Sequence, residues 1–333
     1  MAAYTTIDNP ELYFQVKIWS GTGSDHAVTL DGDENMQPDL VWIKNRADAQ
    51  DNILFDSVRG VNKSLRPDTT AAEDTTNNDG SLQSFDSDGF TLYQPGVGDD
   101  KTNDGADTYV AWCWKESATA GFDIVNNVKN DTDVENISHN LSAVPHWIIG
   151  KSRTGGSYSW ICYHKDVGNE HSMYLHDTSA KVDSVTFFND TSPTSSVFTL
   201  GADNAWNGTN IFYVWAPKQG FSRFSKFVGN GSSDGTYVHL GFSPAWVMIK
   251  GTNTNGWLVI DNKRTAYNSD SKFLYPHASD AEESLSDRFD FLSNGFKLRN
   301  TWTAFNSSGQ EYIYMAFAEA PFVNSNGVPC NAR

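Results

Sequence analysis

Pro244-Ala245-Trp246-Val247-Met248-Ile249-Lys250, followed by Trp257-Leu258-Val259-Ile260-Asp261, reads as two β-strands. Both runs are rich in aromatic and β-branched residues, the types that fit a pleated, packed surface. Successive strand side chains point to opposite faces, so an apolar run of this kind is buried on both sides. The surroundings agree. Gly229-Asn230-Gly231 and Gly241-Phe242-Ser243 are turn sequences, Leu292-Ser293-Asn294-Gly295-Phe296 is a strand with a turn inside it, and Tyr312-Ile313-Tyr314-Met315-Ala316-Phe317 closes the stretch. Residues 220–322 therefore read as an all-β unit.

The same landmarks occur twice more. Pro38 precedes Lys44, and Pro145 precedes Lys151, at the spacing that separates Pro244 from Lys250. Tyr109-Val110-Ala111-Trp112 and Phe212-Tyr213-Val214-Trp215 match the closing strand Tyr312–Met315. Leu54-Phe55-Asp56 and Cys162-Tyr163-His164 match Val259-Ile260-Asp261, and Asp88-Gly89-Phe90 matches Asn294-Gly295-Phe296. The middle copy lacks that last turn and keeps only Val197-Phe198-Thr199-Leu200. A repeat of roughly a hundred residues is too long for a solenoid unit and long enough for a small sandwich with its own core. The expected fold is all-β: tandem antiparallel β-sandwiches of jelly-roll or concanavalin-like type, in three related units at residues 1–118, 119–219 and 220–333. Helical periodicity is scarce. Asp280-Ala281-Glu282-Glu283-Ser284-Leu285 is the one segment that reads as a turn or two of helix.

The formal charge of −17 disfavours sequence-independent nucleic-acid binding, which needs a basic surface, and disfavours anionic membranes for the same reason. Three cysteines, Cys113, Cys162 and Cys330, form neither a disulfide framework nor a metal knuckle. Met1-Ala2-Ala3-Tyr4-Thr5-Thr6 has no basic segment and no apolar core, so no signal peptide is expected. No apolar run reaches the length that spans a bilayer.

Candidate chemistry is sparse. A glycan-cleaving sandwich needs two carboxylates facing one bond, which on a strand means acids two apart. Glu282-Glu283 and Asp99-Asp100 are adjacent, and no Gly-x-Ser-x-Gly elbow occurs. The chain is therefore expected not to be an enzyme, and no catalytic residue is assigned. His164, His171 and His176 have no metal-site spacing. No cofactor is expected. Calcium is the one candidate ion, at Asp31 and Asp33 in one acidic loop and Asp86 and Asp88 in another, where hard oxygen ligands lie close together. The competing reading is turn chemistry. Trp42, Trp147 and Trp246 sit in strands apolar on both faces and belong to the core. Trp206, Trp257 and Trp302 stand near Asn and Gly and are the candidate glycan-contact residues. The long polar segments Pro67–Ser81, Pro95–Asp107 and Asn126–Asn140 are expected at contacts.

Several stretches resemble virion structural proteins of marine tailed bacteriophages. They are Tyr4–Asp8 with Tyr13-Phe14-Gln15, Pro38–Arg46, Phe55-Asp56-Ser57-Val58-Arg59-Gly60, Ser84–Phe90, Tyr109–Trp112, Leu292–Leu298 and Tyr312–Glu319. The resemblance covers the first and third units well and the middle one poorly. It implies a concanavalin-like lectin sandwich, a role on the phage particle and contact with glycan. On this reading the chain is a non-enzymatic virion structural protein made in the host cytoplasm: a capsid decoration, a vertex protein or a short tail appendage. Its partners would be other copies of itself, as a homo-oligomer, and other virion proteins. The alternative is a host-glycan-binding adhesin or receptor-binding tail protein.

Overall fold

The computed structural model describes residues 3–330 apart from 77–80, 94–100, 131, 132, 155, 266 and 269. Strands fall into three groups. The first holds β1 (Phe14–Ser20), β2 (His26–Val28), β3 (Leu40–Asn45), β4 (Ile53–Asp56), β5 (Ser81–Asp86), β6 (Gly89–Tyr93) and β7 (Thr108–Trp114). The second holds β8 (Phe122–Lys129), β9 (Glu135–Ser138), β10 (Trp147–Ser152), β11 (Trp160–His164), β12 (His171–Tyr174), β13 (Val182–Asp183), β14 (Val197–Leu200) and β15 (Gly208–Trp215). The third holds β16 (Ser222–Val228), β17 (Tyr237–His239), β18 (Phe242–Gly251), β19 (Trp257–Asp261), β20 (Asp270–Phe273), β21 (Glu283–Ser286), β22 (Phe289–Leu292), β23 (Gly295–Leu298) and β24 (Glu311–Pro321). The pairings between these strands are antiparallel, from β1–β7 through β16–β24.

One strand order recurs in the large sheets. It is β1-β7-β3-β4 in the first group, β8-β15-β10-β11 in the second, where β12 and β13 extend the edge, and β16-β24-β18-β19 in the third. Each large sheet is faced by a small one: β2-β6-β5, β9-β14 and β17-β23-β22. Gly89 and Gly295 mark why the first and third small sheets share a hairpin. A Cβ on either would lie 2.1 Å from the carbonyl oxygen of Val28 or Val238 on the next strand. The second group has a four-residue helix instead, α1 (Val185–Phe188), whose Phe187 and Phe188 enter that group's sandwich core.

The strands that carry proline and lysine show how the groups are joined. All six residues of β3 are buried. Its Val41 and Ile43 face the first group's own sandwich core, while Leu40 and Trp42 face a different one. In β10, Ile148 faces its own sandwich, and Trp147 and Ile149 join Leu40 and Trp42. In β18, Val247 and Ile249 face inward to their sandwich, and Trp246 and Met248 join the same common cluster. The three large sheets thus back onto one shared core, and the separate core expected for each unit is only half of what it buries. Trp42, Trp147 and Trp246 are core residues, at 3%, 0% and 0% exposure.

Two local expectations change. Asp280–Leu285 is not helical; β21 runs through Glu283–Ser286 and pairs with β20. Asn126–Asn140 is not all loop: it holds the end of β8, up to Lys129, and the whole of β9, Glu135–Ser138. Pro95 to Asp100 of one predicted contact loop, and residues 77–80 of another, lie outside the described residues. The helices are short, and none among the described residues is long and apolar enough to cross a membrane.

Candidate functional site: three seams around a shared core

The groups meet pairwise in three seams, and the seams are cyclically related. Registers identify equivalent residues. Asp56, His164 and Asp261 each stand opposite the first inward residue of the neighbouring strand, Leu40, Trp147 and Trp246. Trp112, Tyr213 and Met315 each stand opposite the next inward residue, Trp42, Ile149 and Met248.

In the seam between groups one and two, Asp56 is fully buried and forms an ion pair with Arg59. It also accepts the Arg59 backbone N–H at 2.8 Å and, across the seam, the Tyr213 hydroxyl at 2.7 Å. Arg59 Nη1 reaches Glu73 at 3.1 Å, and Glu73 takes a bidentate pair from Arg153 of group two at 2.8 and 2.9 Å. The seam between groups three and one repeats this set. Asp261 accepts Arg264 N at 2.9 Å, Arg264 Nε at 2.6 Å and Trp112 Nε1 at 3.0 Å. Arg264 Nη1 reaches Glu282 at 3.1 Å, and Glu282 takes a bidentate pair from Arg46 at 2.8 and 2.9 Å. Burial pushes both glutamates' pKa up, but their arginine bonds outweigh it and hold them below the usual range. Planar guanidinium forks suit such buried, paired sites.

The seam between groups two and three has the same backbone and none of these ion pairs. Lys181 N donates to Thr252 O at 3.0 Å, where Glu73 N donates to Arg153 O and Glu282 N to Arg46 O. Lys181 and Thr252 therefore replace a glutamate and an arginine. His164 replaces the aspartate, Val167 the buried arginine, and Met315 the donor that crosses the seam. His164 Nδ1 accepts the Asp166 N–H at 3.1 Å, which puts the ring proton on Nε2. That atom is buried and has no partner among the described residues. Burial pushes the His164 pKa down to about 3.

A second set of contacts is common to all three seams. Lys44, Lys151 and Lys250 are fully buried, and each ammonium crosses to the next group. Lys44 donates to Ser279 O at 3.0 Å, Lys151 to Thr70 O at 3.0 Å and Lys250 to Ser179 O at 2.9 Å. Each also binds carbonyls of its own group, such as Gln50 O and Tyr158 O at 2.7 and 2.6 Å. Burial pushes all three pKa values down to about 8. Beside the lysines, Trp160 Nε1 donates to Arg66 O and Trp257 Nε1 to Tyr174 O, both at 2.8 Å. Asn52 does the same in the third place, donating to Tyr275 O at 3.1 Å.

Two of the three tryptophans expected at a glycan surface are thus corrected. Trp257 is fully buried as a seam staple. Trp206 is also fully buried, donating to Phe187 O at 2.9 Å. The physical reason is Gly150, which stands where β3 and β18 have Ile43 and Ile249. A Cβ there would meet the Trp206 ring at 2.9 Å and the Phe212 ring at 2.7 Å. Trp302 is partly exposed, packed on Phe273 and Phe305, with the Arg288 guanidinium 5.4 Å from its ring centre. The four calcium candidates do not converge. Asp31 pairs with Lys17 and Asp33 is exposed. Asp86 accepts the Ser84 and Thr91 hydroxyls, and Asp88 accepts Met36 N. Among the described residues no group of three or more His, Cys, Asp or Glu is placed to hold a metal ion. A solvent-open cleft of about 380 Å³ lies between groups one and three, lined by Glu11, Gln15, Asn262, Lys263 and Glu319. Its carboxylates are engaged, Glu11 by the Asp33 N–H at 2.9 Å and Glu319 by the Ser243 hydroxyl at 3.0 Å.

A family model described as a domain of unknown function, DUF7483, matches residues 9–321. The chain belongs to that family. The match runs through the connections between all three groups, so the family is defined over the whole ring of sheets. No curated protein matches the sequence.

The seam residues were missed in the sequence, yet a signal was there. Asp56-x-x-Arg59 recurs as Asp261-x-x-Arg264, and Leu65-x-Pro67 as Leu274-x-Pro276. Asp56 and Asp261 end the equivalent strands β4 and β19, and each Leu-x-Pro follows in the same order.

Proposed function

We propose that this chain is a non-enzymatic structural protein displayed on the surface of a tailed-phage particle. The observation that carries the reading is the closed ring of three. The buried charges of two seams, and the lysines of all three, are committed to holding groups together. Three similar groups around one shared core present related surfaces in three directions, which suits a symmetric or locally symmetric position on a particle. The resemblance of Phe55–Gly60, Ser84–Phe90 and Tyr312–Glu319 to phage virion proteins supplies the setting. A homo-oligomer or contacts with other virion proteins would use the outer sheets and loops, since the inner faces are already occupied.

A reconstruction of the native particle, with this chain placed in its density, tests the proposal. The chain is expected outside the capsid or on the tail, on a surface exposed to solvent. Absence from purified particles, or a position inside against the genome, overturns it. Partly exposed Trp302 keeps the adhesin reading open to the same campaign. Strong binding on a glycan array, lost in Trp302→Ala, would replace the structural role with a receptor-binding one. Release of reducing sugar from host polysaccharide, abolished by changing one carboxylate, would replace both with an enzyme.

A further inference from the structure

We propose that the seam between groups two and three is an acid-triggered hinge: protonation of His164 opens it while the two charged seams stay closed. The inference is independent of where the protein works. It starts from the comparison of three equivalent positions. Two hold an aspartate that is neutralised by an arginine three residues later and by a donor from across the seam. The third holds a histidine, with Val167 in the arginine's place and Met315 in the donor's.

A neutral imidazole suits this site. Its ring meets Trp147 edge to face at 4.7 Å between centroids, and its Nε2–H has no acceptor among the described residues. A charged imidazolium does not suit it, because a buried charge needs a partner. The groups that face it are few. On its own turn are Lys165 and Asp166. Before β10 is His146, whose Nε2 lies 3.2 Å from Lys165 Nζ. From β16 comes Lys226, which pairs with Glu311 at 2.6 Å. His146 and Lys226 disfavour a second positive charge, and only Asp166 favours it. Asp166 is not free: its Oδ2 accepts the Ser225 hydroxyl across this seam at 2.8 Å. A proton on His164 therefore competes for the one carboxylate that bonds group two to group three at this point. Opening the seam hydrates the ring and resolves the conflict.

The sign follows from burial. A histidine held neutral when closed, and free to titrate near 6.5 when open, favours the open form as pH falls below 6.5. Between pH 6.5 and 4.5 the opening equilibrium should rise roughly 50-fold, below the limit of tenfold per pH unit for one proton because the open-form histidine is already half protonated at pH 6.5. Glu73 and Glu282 of the other seams stay ionised in that window, since arginines hold them below the usual range.

Hydrogen exchange of the full chain, with rates corrected for intrinsic pH dependence, tests this. Peptides over Trp160–His164 and Ser222–Val228 should lose protection by tens of fold between pH 6.5 and 4.5. Peptides over Ile53–Arg59 and Thr108–Trp114, both in group one, should change by less than about threefold. His164→Gln should abolish the rise. Should that variant fail to fold, Met315→Gln offers the ring an acceptor and should diminish the rise instead. A rise of equal size at all three seams, no rise at the Trp160–His164 peptide, or an undiminished rise in either folded variant overturns the proposal.

Discussion

Asp261→Ala is the sharpest probe of the charged seams. Asp261 and Arg264 are both wholly buried, and the aspartate accepts three bonds: two from Arg264 and one from Trp112. Removing it strands a guanidinium whose remaining contacts are Glu282 at 3.1 Å and the Val259 carbonyl at 3.3 Å. It also leaves an indole N–H and a backbone N–H without acceptors. Breaking a buried pair from one side costs about 3–5 kcal/mol, and the two orphaned donors place this site toward the upper end. The double variant Asp261→Ala/Arg264→Met should behave differently. Glu282 keeps its bidentate pair from Arg46, so no charge is stranded, and the pocket approaches the apolar composition that His164, Val167 and Met315 give the third seam. The second substitution should restore at least about 2 kcal/mol, because an apolar replacement of a buried pair is often neutral or better. Urea unfolding followed by tryptophan fluorescence reads both values. The single variant should lower the midpoint by about 1 M or more, given slopes of about 3 kcal/mol/M at the upper end for small proteins. A double variant as unstable as the single one would refute the argument, since it would mean that the ion pair itself stabilises the seam and that the third seam is a defect.

Four further outcomes follow from the geometry. Wild-type unfolding should be one cooperative transition, because the three groups share a core; separate transitions in calorimetry would contradict this. Trp257→Phe should cost about 1–3 kcal/mol by leaving the part-buried Tyr174 carbonyl without the indole donor, and should leave any glycan-array signal unchanged. Gly150→Ala should cost about 1–3 kcal/mol, since its Cβ would overlap the Phe212 and Trp206 rings. Stability should rise between about pH 8 and 9, where the folded chain sheds protons from Lys44, Lys151 and Lys250 while the unfolded chain retains them. Above about pH 9 the gain is opposed, because burial pushes the Cys113 and Cys162 thiol pKa values up and only the unfolded chain ionises them. Denaturant midpoints measured across that range check the sign.

Much of the fold was legible because burial constrains a strand residue by residue. An apolar run between Pro38 and Lys44, or Pro244 and Lys250, has no polar face to offer solvent, and the sheets do cover both faces. The seams were less legible. They join residues such as Arg46 and Glu282, or Trp112 and Asp261, which are far apart in the chain and differ in type, so no local period betrays them. Glu282 also explains the misread helix. Its side chain is held by Arg46 and Arg264 and its N–H by the Arg46 carbonyl, and those tertiary bonds override the helical preference of Ala281-Glu282-Glu283. Trp206 was misplaced because Asn207 and Gly208 follow it. The compensating sign lay some fifty residues earlier, in the one glycine among three equivalent strand positions.

The shared core bears on what the repeating groups are. A large sheet taken alone would expose the inner residues that its neighbours now cover: Leu40, Trp42, Leu54, Trp112 and Trp114 in the first group, and Trp147, Ile149, Trp160, Tyr213 and Trp215 in the second. Aromatic side chains bury about 150–250 Å² each, so three or four of them already exceed the few hundred Å² of apolar patch that a soluble monomer tolerates. A single group is therefore not a self-sufficient domain, although it has a sandwich core of its own. The ring is the unit that satisfies the chain's burial, in keeping with a family defined from residue 9 to residue 321. Within such a ring one seam can exchange its ion pairs for His164, Val167 and Met315 without leaving a charge unpaired, because Glu73 and Glu282 belong wholly to the other two. The replacement is complete at every equivalent position, and that completeness is what separates a rebuilt seam from a damaged one.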